Sequence, residues 1–232
     1  MNYGKVAFIG GGNMARALAG GMLVAGYEPS HILISDPLAQ NRDRLANEFP
    51  GTIIRADNLD IAEQAECLVL AVKPQILSTV CKPLREAVQI TRPLIISIAA
   101  GVRSGDIDTW LGGGLSVVRV MPNQPALLRL GISCMYANEQ TSEEERRAAS
   151  CIISTTGPVI SVSTENDIDT VTAVSGSGPA YFYLLVDMLV TVAKDMGLDS
   201  KSALALVLET ARGASEMAEQ SGETMDTLIA RV

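Results

Sequence analysis

One histidine, one tryptophan and an aromatic share of 4% are what this 232-residue chain has least of. His31, the single histidine, stands between Pro29-Ser30 and the strand-like run Ile32-Leu33-Ile34, where a loop position is expected. A dehydrogenase acting on an alcohol usually needs a histidine or lysine to take the hydroxyl proton, so this scarcity weighs against alcohol chemistry. The four cysteines, Cys67, Cys81, Cys134 and Cys151, form no C-x-x-C pair, which removes the usual zinc and redox motifs. Their mostly apolar neighbours suit burial as small hydrophobes in a reducing compartment. No Lys/Arg run exceeds two residues and the formal net charge is −8, so the clustered positive field that nucleic acid requires is missing. No secretory signal pattern opens the chain, and the apolar stretch 181–193 is broken by Asp187 and too short to cross a bilayer. The expectation is a soluble cytoplasmic protein with neither nucleic acid nor membrane as partner.

What is abundant is aliphatic: the hydrophobic fraction is 47%, carried by Ala, Val, Ile and Leu, in a chain long enough for one large or two modest domains. Strands are expected at 6–9, 32–35, 52–54, 68–72, 94–98 and 117–120, with helices at 14–24, 38–49, 61–65 and 75–88 between them. Near-continuous apolar strands alternating with helices imply a parallel sheet covered on both faces, a doubly wound α/β architecture. Edge strands at 131–136 and 159–162 flank a helix at 142–153. Strand signals then stop, and helices are expected at 166–173, 179–196 and 200–220, with a fourth beginning near Thr224. The expected division is a Rossmann-type dinucleotide-binding domain, 1–162, followed by an all-α C-terminal domain for substrate binding and dimerisation, 163–232. The helix from Pro179 is apolar around most of its circumference and must be covered on nearly all sides. The remaining helices are too few to do so in one subunit, which predicts a dimer made through this part.

Two glycine-rich turns carry the chemistry. Lys5-Val6-Ala7-Phe8-Ile9 leads into Gly10-Gly11-Gly12-Asn13-Met14-Ala15, a G-x-G-x-x-A pattern in the strand-to-helix setting that gives it meaning. Gly10 permits the tight turn, Gly12 the approach of a pyrophosphate, and Ala15 close packing of helix on strand. Asp36 follows the second strand, where an acid would bond the ribose 2′-hydroxyl of NAD; it can equally cap the helix before Pro37, and Arg42 and Arg44 nearby could offset a 2′-phosphate. Ala71-Val72-Lys73-Pro74 and Ala99-Ala100-Gly101-Val102 end two further strands, where small residues leave room for a flat nicotinamide. Lys73 reads either as a binding residue or as a solvated strand end. The second turn, Ser175-Gly176-Ser177-Gly178-Pro179-Ala180-Tyr181, reads as the start of the long helix, with Pro179 in the first turn and Ser177 as its cap. The free amides and dipole of such a start favour a carboxylate, and Ser175, Ser177, Gly178 and Pro179 are the candidates to hold it; the plain alternative is a capping motif and nothing more.

With Met121-Pro122-Asn123-Gln124-Pro125-Ala126, these motifs occur in order along nearly the whole chain, and together they closely resemble pyrroline-5-carboxylate reductase. The resemblance implies reduction of 1-pyrroline-5-carboxylate to L-proline by NADP(H), alternatively NAD(H), the last step of proline biosynthesis. It implies a homodimer of interlocked C-terminal helices, often assembled further into a decamer. The cofactor set expected is Gly10, Gly11, Gly12, Asn13, Met14, Asp36, Asn58, Ala71, Val72, Lys73, Pro74, Ala100 and Gly101, with no metal. Gln124 stands where the family usually has threonine. Family members continue past the position of Val232 through a Ser/Gly/Thr-rich segment whose threonine is thought to touch the substrate imine. The catalytic residue is therefore expected beyond Val232, and a truncated chain is the expectation. Two other readings share the fold signals: a β-hydroxy-acid dehydrogenase, disfavoured because the long helix has no lysine in its first turns, and a dinucleotide-binding protein without catalysis.

Overall fold

The computed structural model describes residues 4–232. Contacts divide the chain into two units between Ser177 and Gly178. Strand signals end at the expected boundary, 162; the first unit also takes in the helical residues that follow, because they pack on the sheet.

Eight strands form one sheet in the order β3-β2-β1-β4-β5-β6-β7-β8. They are β1 Val6–Ile9, β2 Ile32–Ser35, β3 Ile53–Arg55, β4 Cys67–Leu70, β5 Leu94–Ser97, β6 Val117–Pro122, β7 Ser133–Ala137 and β8 Val159–Ser161. β1 to β6 pair in parallel, β7 runs antiparallel to β6, with Val120 opposite Met135, and β8 is parallel to β7. The strand order reverses between β1 and β4, the crevice where doubly wound folds bind their ligands.

The apolar runs are explained by alternation across two covered faces. Val6 and Phe8 of β1 join a core with α1 (Asn13–Val24), α2 (Ala39–Glu48) and α6 (Glu143–Ser154), through Leu18, Met22, Leu45 and Ile152. Ala7 and Ile9 point the other way, into a core with α3 (Leu59–Ala62), α4 (Pro74–Thr91) and α5 (Ser104–Leu111), through Ile61, Leu77, Leu84 and Ile107. A strand buried on both sides has no polar face to show. α5 is absent from the sequence reading: it has eight residues, holds Gly105 in its first turn and ends on Gly112 at φ 107°. α6 begins on a capping box, the Ser142 hydroxyl accepting from Glu145 N–H and Glu145 answering to Ser142.

α7 spans Glu165–Val171 and is followed by a π-helical segment, Thr172–Gly176. The second unit consists of α8 (Gly178–Asp195), α9 (Ser200–Ser221) and α10 (Met225–Ala230). Asp199 caps α9 by accepting from Lys201 and Ser202 N–H at 3.0 and 3.1 Å. α8 packs on α9, yet Phe182 is 66% and Leu185 54% exposed. The stretch Glu165–Asp195 is, by length and composition, apolar enough to cross a membrane, which the shorter reading of 181–193 did not register.

Candidate functional site: a nucleotide turn and a π-helical segment

Gly10 leaves β1 at φ 99° with its N–H donating to Ser35 O at 2.9 Å, and a Cβ there would meet Ala71 O at 2.9 Å. Only glycine fits that corner. Gly12 is different in kind: it is the N-cap of α1, no side chain caps the helix, and a Cβ built on it meets nothing within 4 Å. The first turn of α1 thus has no side-chain cap and open space beside Gly12, with the positive end of the helix dipole behind it. Asn13 and Met14 lie in that turn. This is a cradle for a phosphate group, and the residues fit a dinucleotide.

Asp36 is 6% exposed, and its carboxylate serves the turn itself. Oδ2 accepts from Gly11 N–H at 3.1 Å, Oδ1 from Leu38 N–H at 2.9 Å, and both accept from the Asn41 amide at 3.1 Å. The carboxylate braces the glycine loop against the start of α2. Arg42 donates to the carbonyls of Asp36 and Pro37, both at 2.9 Å, which fixes a cation at the same corner. Asn58 accepts from the Ser35 hydroxyl at 2.7 Å. It lines a cleft of about 370 Å³ together with Gly10, Pro37, Ala56, Val72 and Ile76. Gly10, Asn58 and Val72 thus meet on one cleft at the carboxyl end of the sheet. Ala71 donates its N–H to Ile9 O at 2.9 Å, while Lys73 is exposed and serves as the N-cap of α4, ahead of Pro74. Ala100 and Gly101, the latter at φ 73°, form the exposed loop beyond β5. His31 lies at the amino end of β2, on the opposite edge of the sheet from these loops.

The second turn departs from its sequence reading. Ser177 was expected as an N-cap, a position with extended backbone. It sits instead at φ −85°, ψ −19°, and its N–H donates to Thr172 O at 2.8 Å. The π-helical turn inserts one residue into the ladder and keeps the chain helical up to the start of α8, so the Ser177 amide is already used. Ser175 lies inside the π segment, its hydroxyl donating to Val171 O at 3.2 Å. Gly178 opens α8, and Pro179, as its second residue, gives up no needed N–H. Gly176 has a packing reason for its size: a Cβ there would come within 2.6 Å of Met121 Cε.

A cluster at the same end of the sheet escaped the sequence reading. Arg119 of β6 is 1% exposed and reaches Glu165 at 3.4 Å and Asp169 at 2.8 Å. Its signal was present in Val117-Val118-Arg119-Val120, a charge within a buried strand.

A doubly wound sheet with an open phosphate cradle on its first helix defines a dinucleotide-binding protein of the Rossmann class. The family described as NADP oxidoreductase coenzyme F420-dependent matches residues 5–101, and the one described as pyrroline-5-carboxylate reductase dimerisation matches residues 165–232. The pyrroline-5-carboxylate reductase of Pseudomonas aeruginosa is 42% identical over 95% of this chain and 80% of its own length. The solved structure of that enzyme from Coxiella burnetii superposes with a TM-score of 0.92 at 36% identity, covering 99% of this chain and 84% of the other. The Plasmodium falciparum pyrroline carboxylate reductase, solved with NADP bound, superposes at 0.89 with 28% identity, covering 100% and 85%. The chain belongs to the pyrroline-5-carboxylate reductase family.

Proposed function

We propose that this protein reduces 1-pyrroline-5-carboxylate to L-proline with NADPH, alternatively NADH, as the last step of proline biosynthesis in the cytoplasm. The observation that carries the reading is Gly12, which holds open the first turn of α1 at the point where the strand order reverses. Gly10, Gly11, Gly12, Asn13 and Met14 would cradle the pyrophosphate. Asp36 would act through Gly11, and Asn58 and Val72 would line the adenosine cleft. Ala71, Lys73, Pro74, Ala100 and Gly101 would border the nicotinamide side. Bound there, the dinucleotide supplies a hydride. A protonated cyclic imine is already electrophilic, so its carbon accepts hydride and its nitrogen keeps the proton as the amine N–H, without an imidazole acid.

What the chain supplies is orientation. Ser175, Ser177, Gly178 and Pro179 are assigned to the substrate carboxylate, with the Ser177 hydroxyl as a donor in place of the Ser177 amide, which Thr172 O already holds. The match to a dimerisation family supports self-association through the helical unit as a homodimer; further assembly into a decamer belongs to the same proposal. The match also supports a protein partner, rather than a membrane, as the cover for the apolar face of α8.

The test is oxidation of NADPH and of NADH, followed at their shared absorbance band, with pyrroline-5-carboxylate added. Proline formation in step with cofactor loss is expected. The assay is repeated on a version extended through the family's Ser/Gly/Thr-rich segment, and cofactor binding without turnover by either would favour a dinucleotide-binding protein.

A further inference from the structure

The cluster around Arg119 joins three elements that the proposed reaction needs held together. Its guanidinium places Nη1 3.4 Å from Glu165 Oε1 and Nη2 2.8 Å from Asp169 Oδ1. Glu165 and Asp169 are one turn apart, so one planar fork grips α7 at two points. The Glu165 carboxylate also reaches α5: Oε1 accepts from Ser104 N–H at 2.6 Å, and Oε2 from the Ser104 hydroxyl at 3.0 Å. The N-cap residue of α5, Arg103, provides no side-chain cap, so a carboxylate distant in sequence satisfies the helix start. Arg103 adds a bond of its own, donating to Asn166 Oδ1 at 2.8 Å. Ser104 follows the loop that contains Ala100 and Gly101, and α7 runs directly into Thr172–Gly176. A single carboxylate therefore spans from the loop assigned to the nicotinamide to the helix that presents Ser175.

We propose that Glu165, held by Arg119 beside Asp169, is a positioning residue for hydride transfer. The inference rests on the reductase reading. It assigns the clamp the task of fixing segment 172–177 against loop 99–104, so that imine carbon and hydride donor meet at reacting distance. Buried ion pairs add little net stability compared with apolar replacements, and here the pair sets the geometry between two loops. A misplacement of the order of 1 Å at a reacting centre is enough to slow a reaction about a hundredfold, so small slippage suffices.

The experiment compares Glu165→Gln with the unaltered protein, which Gln matches in size while losing the charge. The expected result is a fall in kcat of about tenfold or more, with the NADPH dissociation constant changed less than about twofold. The kinetic isotope effect on kcat with 4-deuterated NADPH should rise, because hydride transfer becomes the slow step; a purely structural role would not move it. Arg119→Lys, which keeps the charge but loses the fork, should fall between the two. An unchanged kcat and isotope effect in folded Glu165→Gln overturns the proposal. If that variant does not fold, Ser104→Ala is used, which removes only the hydroxyl link, with the same direction expected and unchanged kcat counting against the clamp. If neither the unaltered protein nor its version extended through the family's Ser/Gly/Thr-rich segment turns over, the reductase reading fails. The clamp is then judged by hydrogen exchange in Glu165→Gln: faster exchange in 99–104 and 168–177 together supports it, and a change confined to one segment overturns it.

Discussion

Gly10 and Gly12 are two residues apart and glycine for opposite reasons, one answering to the protein and the other to its ligand. Gly10→Ala places a Cβ against Ala71 O at a φ of 99°, and should destabilise the fold by about 1–3 kcal/mol from backbone strain alone, read as a lowered denaturation midpoint. Gly12→Val puts its Cβ in open space, so the midpoint should hold while NADPH affinity falls about tenfold or more, measured by fluorescence titration. Equal loss of stability in both variants would remove the phosphate assignment. The cysteines make a separate case. Burial pushes the Cys81 thiol up to about 12 and moves Cys67 and Cys134 in the same direction, while Cys151 is only half-buried. Thiolate is the reactive form, so a thiol reagent at pH about 8 should label Cys151 first in the native protein and all four after denaturation. The linkage has a sign: unfolded thiols ionise near pH 8.5 and the buried ones do not, so stability should fall as pH rises from about 8.5 toward the Cys81 value. The glycine turn and the buried cysteines were legible because spacing and apolar neighbours are local properties. The saturation of Asp36 was not, since it depends on Asn41 and Gly11 arriving from two other segments.

Elements show where local rules stop. The six parallel strands were visible in apolar runs, and their helices in 3.6-residue periodicity, but a helix as short as α5 has too few turns to register. The π-helical segment was missed for another reason: Ser-Gly-Ser-Gly-Pro is strong N-cap vocabulary, and only the bond from Ser177 N–H to Thr172 O shows that the chain has not left the helix. Ser177→Ala still tests the substrate role. The loss of a hydrogen bond to a charged group, about 1.5–3 kcal/mol, should appear in substrate KM with cofactor affinity nearly constant, and equal loss of both would indicate a folding role. At the head of α9, bonds from Ser202 hold the Asp199 carboxyl below its ordinary value. A depressed value means stability present above the unfolded carboxylate range and lost as pH falls through the folded one. The difference in melting temperature between Asp199→Ala and the parent should therefore narrow on acidification and vanish at low pH.

At the scale of the whole molecule, the sheet unit closes its two cores within the chain, whereas α8 leaves Phe182, Leu185 and Val192 more than half exposed. Leu185→Arg should leave the sheet intact by circular dichroism and shift sedimentation toward monomer; an unaltered dimer would move the interface elsewhere. The need for a partner was legible in the all-round apolarity of 179–196, because periodicity reports how much of a helix must be covered even when it cannot say by what. An unfinished apolar face also sets the kinetics of folding. The sheet can form in a first-order step, but a helical unit that gains its cover only by association must wait for a collision, so its final ordering is second-order in chain concentration. Dilution would then act as a denaturant for one half of the protein and leave the other half untouched, and refolding would have an optimum concentration, bounded below by slow encounter and above by the same bare face finding the wrong neighbour.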